Sequence, residues 1–186
     1  LNKTKMVLSI LFCIILIIQP ITSYAYTYAS IGYVPVYRQP SDLTCWSTCV
    51  TMAASYFNGD TKNRQADIQL DAFPGDPYRS DDQYMSATIK EMTNGKWITQ
   101  GIWNTHLYNS YLSKTAVLYQ LNNLVPIISQ TVQRGAPAFH EVLIYAYDET
   151  INKLSINDPA SGQKTIDYDY FKDNPDYYWT RTVINS

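Results

Sequence analysis

The sequence predicts an α+β fold, with helices in the N-terminal half and an antiparallel sheet in the C-terminal half. Two observations carry this. Between Cys45 and Phe57 the apolar residues Cys45, Cys49, Met52, Ala53, Tyr56 and Phe57 recur at a helical period, whereas beyond Leu124 they fall in short alternating or continuous runs of the kind strands make. The punctuation agrees with both: Asn58-Gly59 closes the helical stretch, and turns rich in Gly, Pro and Asp separate the later runs.

Residues 1–25 stand apart from this fold. Lys3 and Lys5 precede an apolar run from Met6 to Ile18, broken by Ser9 and ended by Gln19-Pro20. Ser23-Tyr24-Ala25 then offers small residues at the two positions a signal peptidase reads, so the expectation is a secretory signal and a secreted domain spanning 26–186. The run is shorter than the roughly 20 apolar residues that span a bilayer. Cys13 lies inside it and counts as one more apolar residue.

Within 26–186, Tyr33-Val34-Pro35-Val36-Tyr37 alternates as a strand does, and Arg38-Gln39-Pro40 begins a polar turn. A helix is expected from Cys45 to Phe57, with Asp42 and Thr44 supplying capping oxygens. The middle, about 60–112, is polar; Phe73-Pro74-Gly75-Asp76-Pro77 reads as loop. Ser80 with Gln83 forms a capping box before a helix that turns Met85, Ile89 and Met92 inward and stops at Asn94-Gly95. Trp97 to Tyr111 shows no clear period. A further helix runs from Ser113 to Asn123 on Val117, Leu118 and Leu121. Strands follow at Val125–Thr131, His140–Tyr147 and Lys153–Ile156, the last two joined by a turn at Asp148–Asn152. Asn157-Asp158-Pro159 ends that hairpin, because proline cannot continue a ladder. Thr165–Tyr170 and Tyr178–Ile184 complete the sheet, and no internal repeat interrupts the pattern.

The formal charge is −2, and about −4 once Lys3 and Lys5 leave with the signal. With no basic run, the composition points away from a nucleic-acid partner and from an anionic membrane surface after signal removal. The two remaining thiols, Cys45 and Cys49, are too few for a disulfide scaffold and poorly aimed at each other on a helix. Asp76, Asp81 and Asp82 lack the ligand spacing of a calcium loop and read as a solvated face, so no cofactor or metal is expected. The 17 tyrosines suit core and sheet surface, with a sugar- or peptide-binding groove left open.

A thiol attacks a carbonyl only as thiolate, and a helix N-terminus with a nearby imidazole is the usual way to lower its pKa. Cys45 sits at such a start; Cys49, one turn later on the core face, reads as a small buried hydrophobe. The expected order is therefore Cys45 lowered and Cys49 unshifted or raised. Only His106 and His140 can supply the imidazole. His140 opens a strand after a flexible loop, and Asp158 ends the partner strand, so a tight hairpin brings the two together. Asp158 would then fix the imidazole tautomer. His106 lies in an aromatic stretch with no acid placed beside it.

These residues carry a resemblance. Gln39, Cys45 and Trp46 resemble the papain clan, in which a glutamine six residues before the nucleophile supplies an oxyanion-hole donor and a tryptophan follows the cysteine. Phe139-His140-Glu141-Val142-Leu143-Ile144-Tyr145-Ala146-Tyr147-Asp148 is similar to the histidine strand of compact bacterial members, such as the peptidase domains of bacteriocin exporters and related secreted or effector proteases. Ile156-Asn157-Asp158-Pro159-Ala160-Ser161-Gly162 looks like their acid-bearing turn. The resemblance covers about 34–58 and 124–163 and implies a papain-like fold, with the nucleophile helix packed on the C-terminal sheet. It implies a cysteine peptidase cleaving a peptide or protein substrate, with Cys45, His140 and Asp158 as triad and Gln39 as oxyanion donor. Asn157 remains open as the third member. Glu141 departs from the usual apolar residue after the histidine, leaving two options: facing solvent, or raising the imidazole pKa. An acyltransferase or cell-wall amidase would use the same triad, and a non-catalytic binding module would use only the fold.

Overall fold

Strand β4, Phe139–Asp148, is the axis on which the rest is assembled. Its run Val142-Leu143-Ile144 with Ala146 and Tyr147 is buried on both faces, which is why it reads as continuous rather than alternating apolar sequence. The computed structural model describes residues 27–75, 84–93, 95–100, 104–136 and 138–185. The expected signal at 1–25, the Ser80–Gln83 capping box, and Asp76, Asp81 and Asp82 lie outside them. Among the described residues no helix is long and apolar enough to cross a membrane.

The other strands are β1 Tyr28–Ser30, β2 Thr105–Tyr108, β3 Ile127–Gln133, β5 Lys153–Asp158, β6 Gly162–Asp167 and β7 Tyr177–Asn185. They pair antiparallel in the order β2-β7-β3-β4-β5-β6. β3 covers one edge of β4 as far as Ile144, and β1 takes over that edge from Ala146 to Asp148. Along β5 the register sets Leu143 opposite Asn157, with a bulge between Ile144 and Ala146 that leaves Tyr145 as the extra residue.

Helix α1, Cys45–Asn58, packs on β4, and α2, Gln65–Ala72, and α3, Tyr84–Thr93, pack against α1. The expected inner face of α1 is confirmed at Cys49, Met52 and Ala53, but the helix is buried all round from Cys45 to Ser55. Its hydroxyl residues tolerate this by bonding back to the helix: Ser47 and Thr48 donate to Thr44 O at 3.0 and 2.8 Å, and Thr51 donates to Ser47 O at 2.8 Å. Gly59 at φ 65° stops the helix, since an L side chain resists that conformation. α4, Lys114–Asn122, starts where Ser113 accepts from Ala116 N, as the sequence predicts.

Four expectations change. Tyr33–Tyr37 is no strand: Pro35 removes a donor, and the segment is an extended strap whose Val34 carbonyl accepts from buried Asn157. The sheet instead begins at β1. α2 was not foreseen, because its buried face combines Ile68 with the polar Gln65 and Gln69, so no apolar period shows. β2 supplies order to part of the Trp97–Tyr111 stretch by adding to β7 at the sheet edge. The strand expected through Tyr170 ends at Asp167, whose carboxylate accepts from Asp169 N and Tyr170 N and opens a short helix, α5 Tyr168–Lys172.

A buried side-chain bond from β5 ties the strap to the sheet. Asn157→Ala should therefore cost about 1–3 kcal/mol, leaving the Val34 carbonyl without its donor; urea unfolding against the wild type measures it. A loss under about 0.5 kcal/mol would mean the strap is anchored elsewhere.

Candidate active site

Cys45 is the first residue of α1 because Ser41–Thr44 turn the chain immediately before it: Thr44 N donates to Ser41 O at 3.2 Å and Thr44 Oγ1 to the same carbonyl at 2.8 Å. The expected cap is absent, since Thr44 makes no side-chain bond to the helix N–H groups. That hydroxyl is already engaged with Ser41, so the first-turn N–H groups stay open. The thiol uses them. Backbone N–H groups of Glu141, Trp46 and Cys45 itself favour its ionised form. The sulfur thus lies against the start of β4, beside the residue that follows His140. Trp46 anchors the turn from the core, meeting Phe73 edge-on at 5.7 Å between centroids.

His140 and Asp158 are brought together. Nε2 of His140 meets Oδ1 of Asp158 at 2.8 Å, across the open end of the β4–β5 hairpin. The aspartate is 4 % exposed and fully engaged: Oδ1 also accepts from Ala160 N at 2.8 Å, and Oδ2 accepts from Ser161 Oγ at 2.7 Å and Lys164 Nζ at 2.6 Å. Burial opposes its ionisation, but the bonds from His140, Lys164 and Ser161 outweigh it and hold the carboxyl well below the usual carboxylate range. With Nε2 committed to the acid, Nδ1 is the ring nitrogen left to meet a thiol. Beside the pair lies a cavity of about 290 Å³ whose lining includes His140, Val142, Ile156, Asp158, Lys164 and Phe171.

Asn157 is not beside the imidazole. Alternation sends it to the other face of β5, where it donates to Val34 O at 3.2 Å. Gln39 is tied to the acid-bearing turn: its backbone N–H donates to Pro159 O at 3.0 Å, while its Oε1 is buried without a partner among the described residues. Arg38 reinforces the link by donating to Ala160 O. His106 lies on β2, three strands from β4, paired with Ile184. Lys164 and Ser161 were not anticipated; a serine three residues after an aspartate, in a turn, is the local signal that could have marked Ser161.

Two expectations are overturned. Cys45 is not lowered: the thiol is 1 % exposed, and burial together with the Glu141 carboxyl pushes it up to about 12. Cys49, fully buried, is raised as well, and both are free thiols. The dipole of α1 is too weak alone to overcome desolvation, and among the described residues no hydrogen bond joins the Cys45 sulfur to the His140 ring. Glu141 does not face solvent, one of the two options left open by the sequence. It is buried at 1 % exposure and bonded to Thr88 and Gln130, and burial raises its carboxyl to about 7.

Comparison with known proteins gives the family and the fold. Residues 31–184 match the model of the Peptidase_C39 like family. A double glycine motif protease from an AMS/PCAT transporter, solved in complex with the leader peptide, shares the fold with a TM-score of 0.56 at 17% sequence identity, covering 82% of this chain and 91% of that one. The peptidase domain of Streptococcus ComA, a bi-functional ABC transporter involved in a quorum sensing pathway, gives 0.54 at 13%, covering 83% and 98%. No curated protein sequence matches.

The raised carboxyl of Glu141 fixes a sign for stability. The folded chain keeps a proton that the unfolded chain releases near 4.5, so this contribution is intact below that pH and is lost as pH rises toward about 7. Relative to Glu141→Gln, the wild type should lose about 3 kcal/mol between pH 4 and pH 8. Urea unfolding of both proteins at pH 4, 6 and 8 checks this; a constant difference would show that Glu141 ionises normally.

Proposed function

This chain belongs to the Peptidase_C39 like family and is a papain-like cysteine peptidase, and from that premise we propose that it hydrolyses peptide substrates through Cys45, His140 and Asp158, with Gln39 as oxyanion donor. The observation that carries the assignment is the 2.8 Å bond between His140 Nε2 and Asp158 Oδ1, which leaves Nδ1 for the sulfur. A peptide substrate is supported by the leader peptide bound to the similar transporter protease.

In this reading Cys45 gives its proton to His140 Nδ1, and the thiolate attacks the scissile carbonyl. The imidazolium then returns the proton to the leaving amine, and water hydrolyses the thioester with His140 as base. Taking a thiol from about 12 to the neutral range asks for roughly 7 kcal/mol. An imidazolium in contact supplies about 4 kcal/mol at an effective dielectric near 20 and more in a drier site, whereas the helix-start N–H groups already act on the thiol at about 12. The ion pair is therefore the decisive contribution, and it forms only when ring and thiol meet. Asp158 accepts from Nε2–H and so turns Nδ1 toward the thiol. Backbone N–H of Cys45 and the Gln39 amide would bind charge that appears only on the tetrahedral intermediate.

The apolar run Met6–Ile18 and the exit Ser23-Tyr24-Ala25 support export, which makes the peptidase a secreted one. Protein recovered outside the cell should begin at Tyr26 on N-terminal sequencing; recovery only in membranes with residues 1–25 attached would refute this.

Steady-state kinetics on a fluorogenic peptide library tests the triad. Cys45→Ala should abolish turnover, and His140→Ala should lower kcat by about 100- to 10,000-fold. Asp158→Ala should cost about 100-fold or more, while Asn157→Ala and His106→Ala stay near wild type at temperatures where they are folded. If His140→Ala keeps a tenth of the rate, or Asp158→Ala is fully active, the triad is wrong.

A further inference from the structure

Among the described residues Glu141 is the buried acid that acts on the Cys45 thiol and that the triad does not use. It directly follows His140 on β4, so alternation turns it to the opposite face of the sheet, away from the cavity beside His140 and Asp158 and toward α1 and α3. Among the described residues its carboxyl has two donors, both neutral: Thr88 Oγ1 of α3 at 3.1 Å and Gln130 Nε2 of β3 at 3.4 Å. The sheet register sets Gln130 between Glu141 on one side and Arg181 of β7 on the other, making a row of three across three strands. The Arg181 backbone is therefore two strands away, about 10 Å at the usual strand spacing, and its charge lowers the carboxyl less than burial raises it.

From α1 the titratable groups facing this carboxyl are the thiols of Cys45 and Cys49, and both feel its charge as a cost to ionisation. The other buried acid of α3, Glu91, is turned instead to Trp97 Nε1. On the far face of the sheet Asp158 is held by His140 and Lys164. Nothing adjacent to Glu141 is cationic among these groups. Gln130 Oε1 is also buried without a partner among the described residues, and with its amide reversed it would accept a hydrogen bond from the O–H of a neutral Glu141. The surroundings fit the acid form at least as well as the anion.

We propose, resting on the reading of Cys45 as nucleophile, that Glu141 is an electrostatic positioning residue acting through Cys45. While its carboxyl is neutral the Cys45–His140 ion pair can form, and when the carboxyl ionises the pair is suppressed. Two anions at close quarters in a dry site repel strongly, so the charge on Glu141 withdraws thiolate as pH rises. The burial that holds this carboxyl up to about 7 places the change within the working range of a cysteine peptidase. The device narrows the active pH window from above.

The test reads the thiol directly. Iodoacetamide labelling rates at Cys45, separated from Cys49 by peptide mapping, are measured from pH 5.5 to 8.5 in wild type and Glu141→Gln, with kcat/KM on the same peptides. The ratio of Glu141→Gln to wild type should be near one at pH 5.5 and rise to about tenfold at pH 8.5, equivalent to about one unit in the thiol. Arg181→Gln removes the cation that favours the charged carboxylate and should move the wild-type break to higher pH. This variant lies toward the sheet edge and carries the test if Glu141→Gln does not fold. A flat ratio, or an unmoved break in Arg181→Gln, overturns the proposal. A Cys45 that labels with normal pH dependence but supports no peptide cleavage refutes the peptidase reading instead.

Discussion

The carboxylate of Asp158 is the interaction on which the site depends. Its two oxygens gather the imidazole of β4, the ammonium of β6 and the N–H and hydroxyl groups of the following turn, and that turn holds the backbone of Gln39. Removing one partner of a buried, hydrogen-bonded charge leaves the rest uncompensated. The acid is therefore a structural hub as well as the group that orients His140. Its exposed partner, Lys164, contributes mainly by neutralising charge, since the ammonium side is wet and screened. The depressed carboxyl means this hub stays ionised above the ordinary aspartate range and loosens only as pH falls below it.

Cys45 is set in the opposite environment. α1 is enclosed by β4, α2 and α3, and the thiol at its start is nearly without solvent. Such a thiol ionises only with help from an opposite charge, and burial strengthens that help, because charges in a water-excluded site interact more strongly than on a surface. Hydroxyl groups bonded back onto α1 let a polar helix sit in this position without orphaned donors, and they leave its first N–H groups free for the sulfur.

β4 links these two environments through its pleat. His140 and Glu141 are consecutive, yet one faces Asp158 and the other faces α3, so a single strand presents an imidazole and a carboxyl on either side. The two acids are displaced in opposite directions for one reason. Asp158 has cationic and turn donors at contact distance, whereas Glu141 has two neutral donors and burial.

Sequence by itself determined the fold class, α1, α4, the β4–β5 hairpin, and the association of His140 with Asp158. Each follows from local periodicity, turn chemistry or the pairing of adjacent strands, none of which needs the rest of the chain. Tertiary structure decided what depends on neighbours distant in sequence. α2 is a helix because α1 gives its Gln69 a buried partner in Ser47, β2 exists because β7 offers an edge, and Tyr33–Tyr37 is a strap because Asn157 holds Val34. The thiol pKa and the state of Glu141 belong to this second group. Helix position set the sign expected for Cys45, but desolvation reversed it, since burial is the sum of everything α2, α3 and the sheet place around a residue.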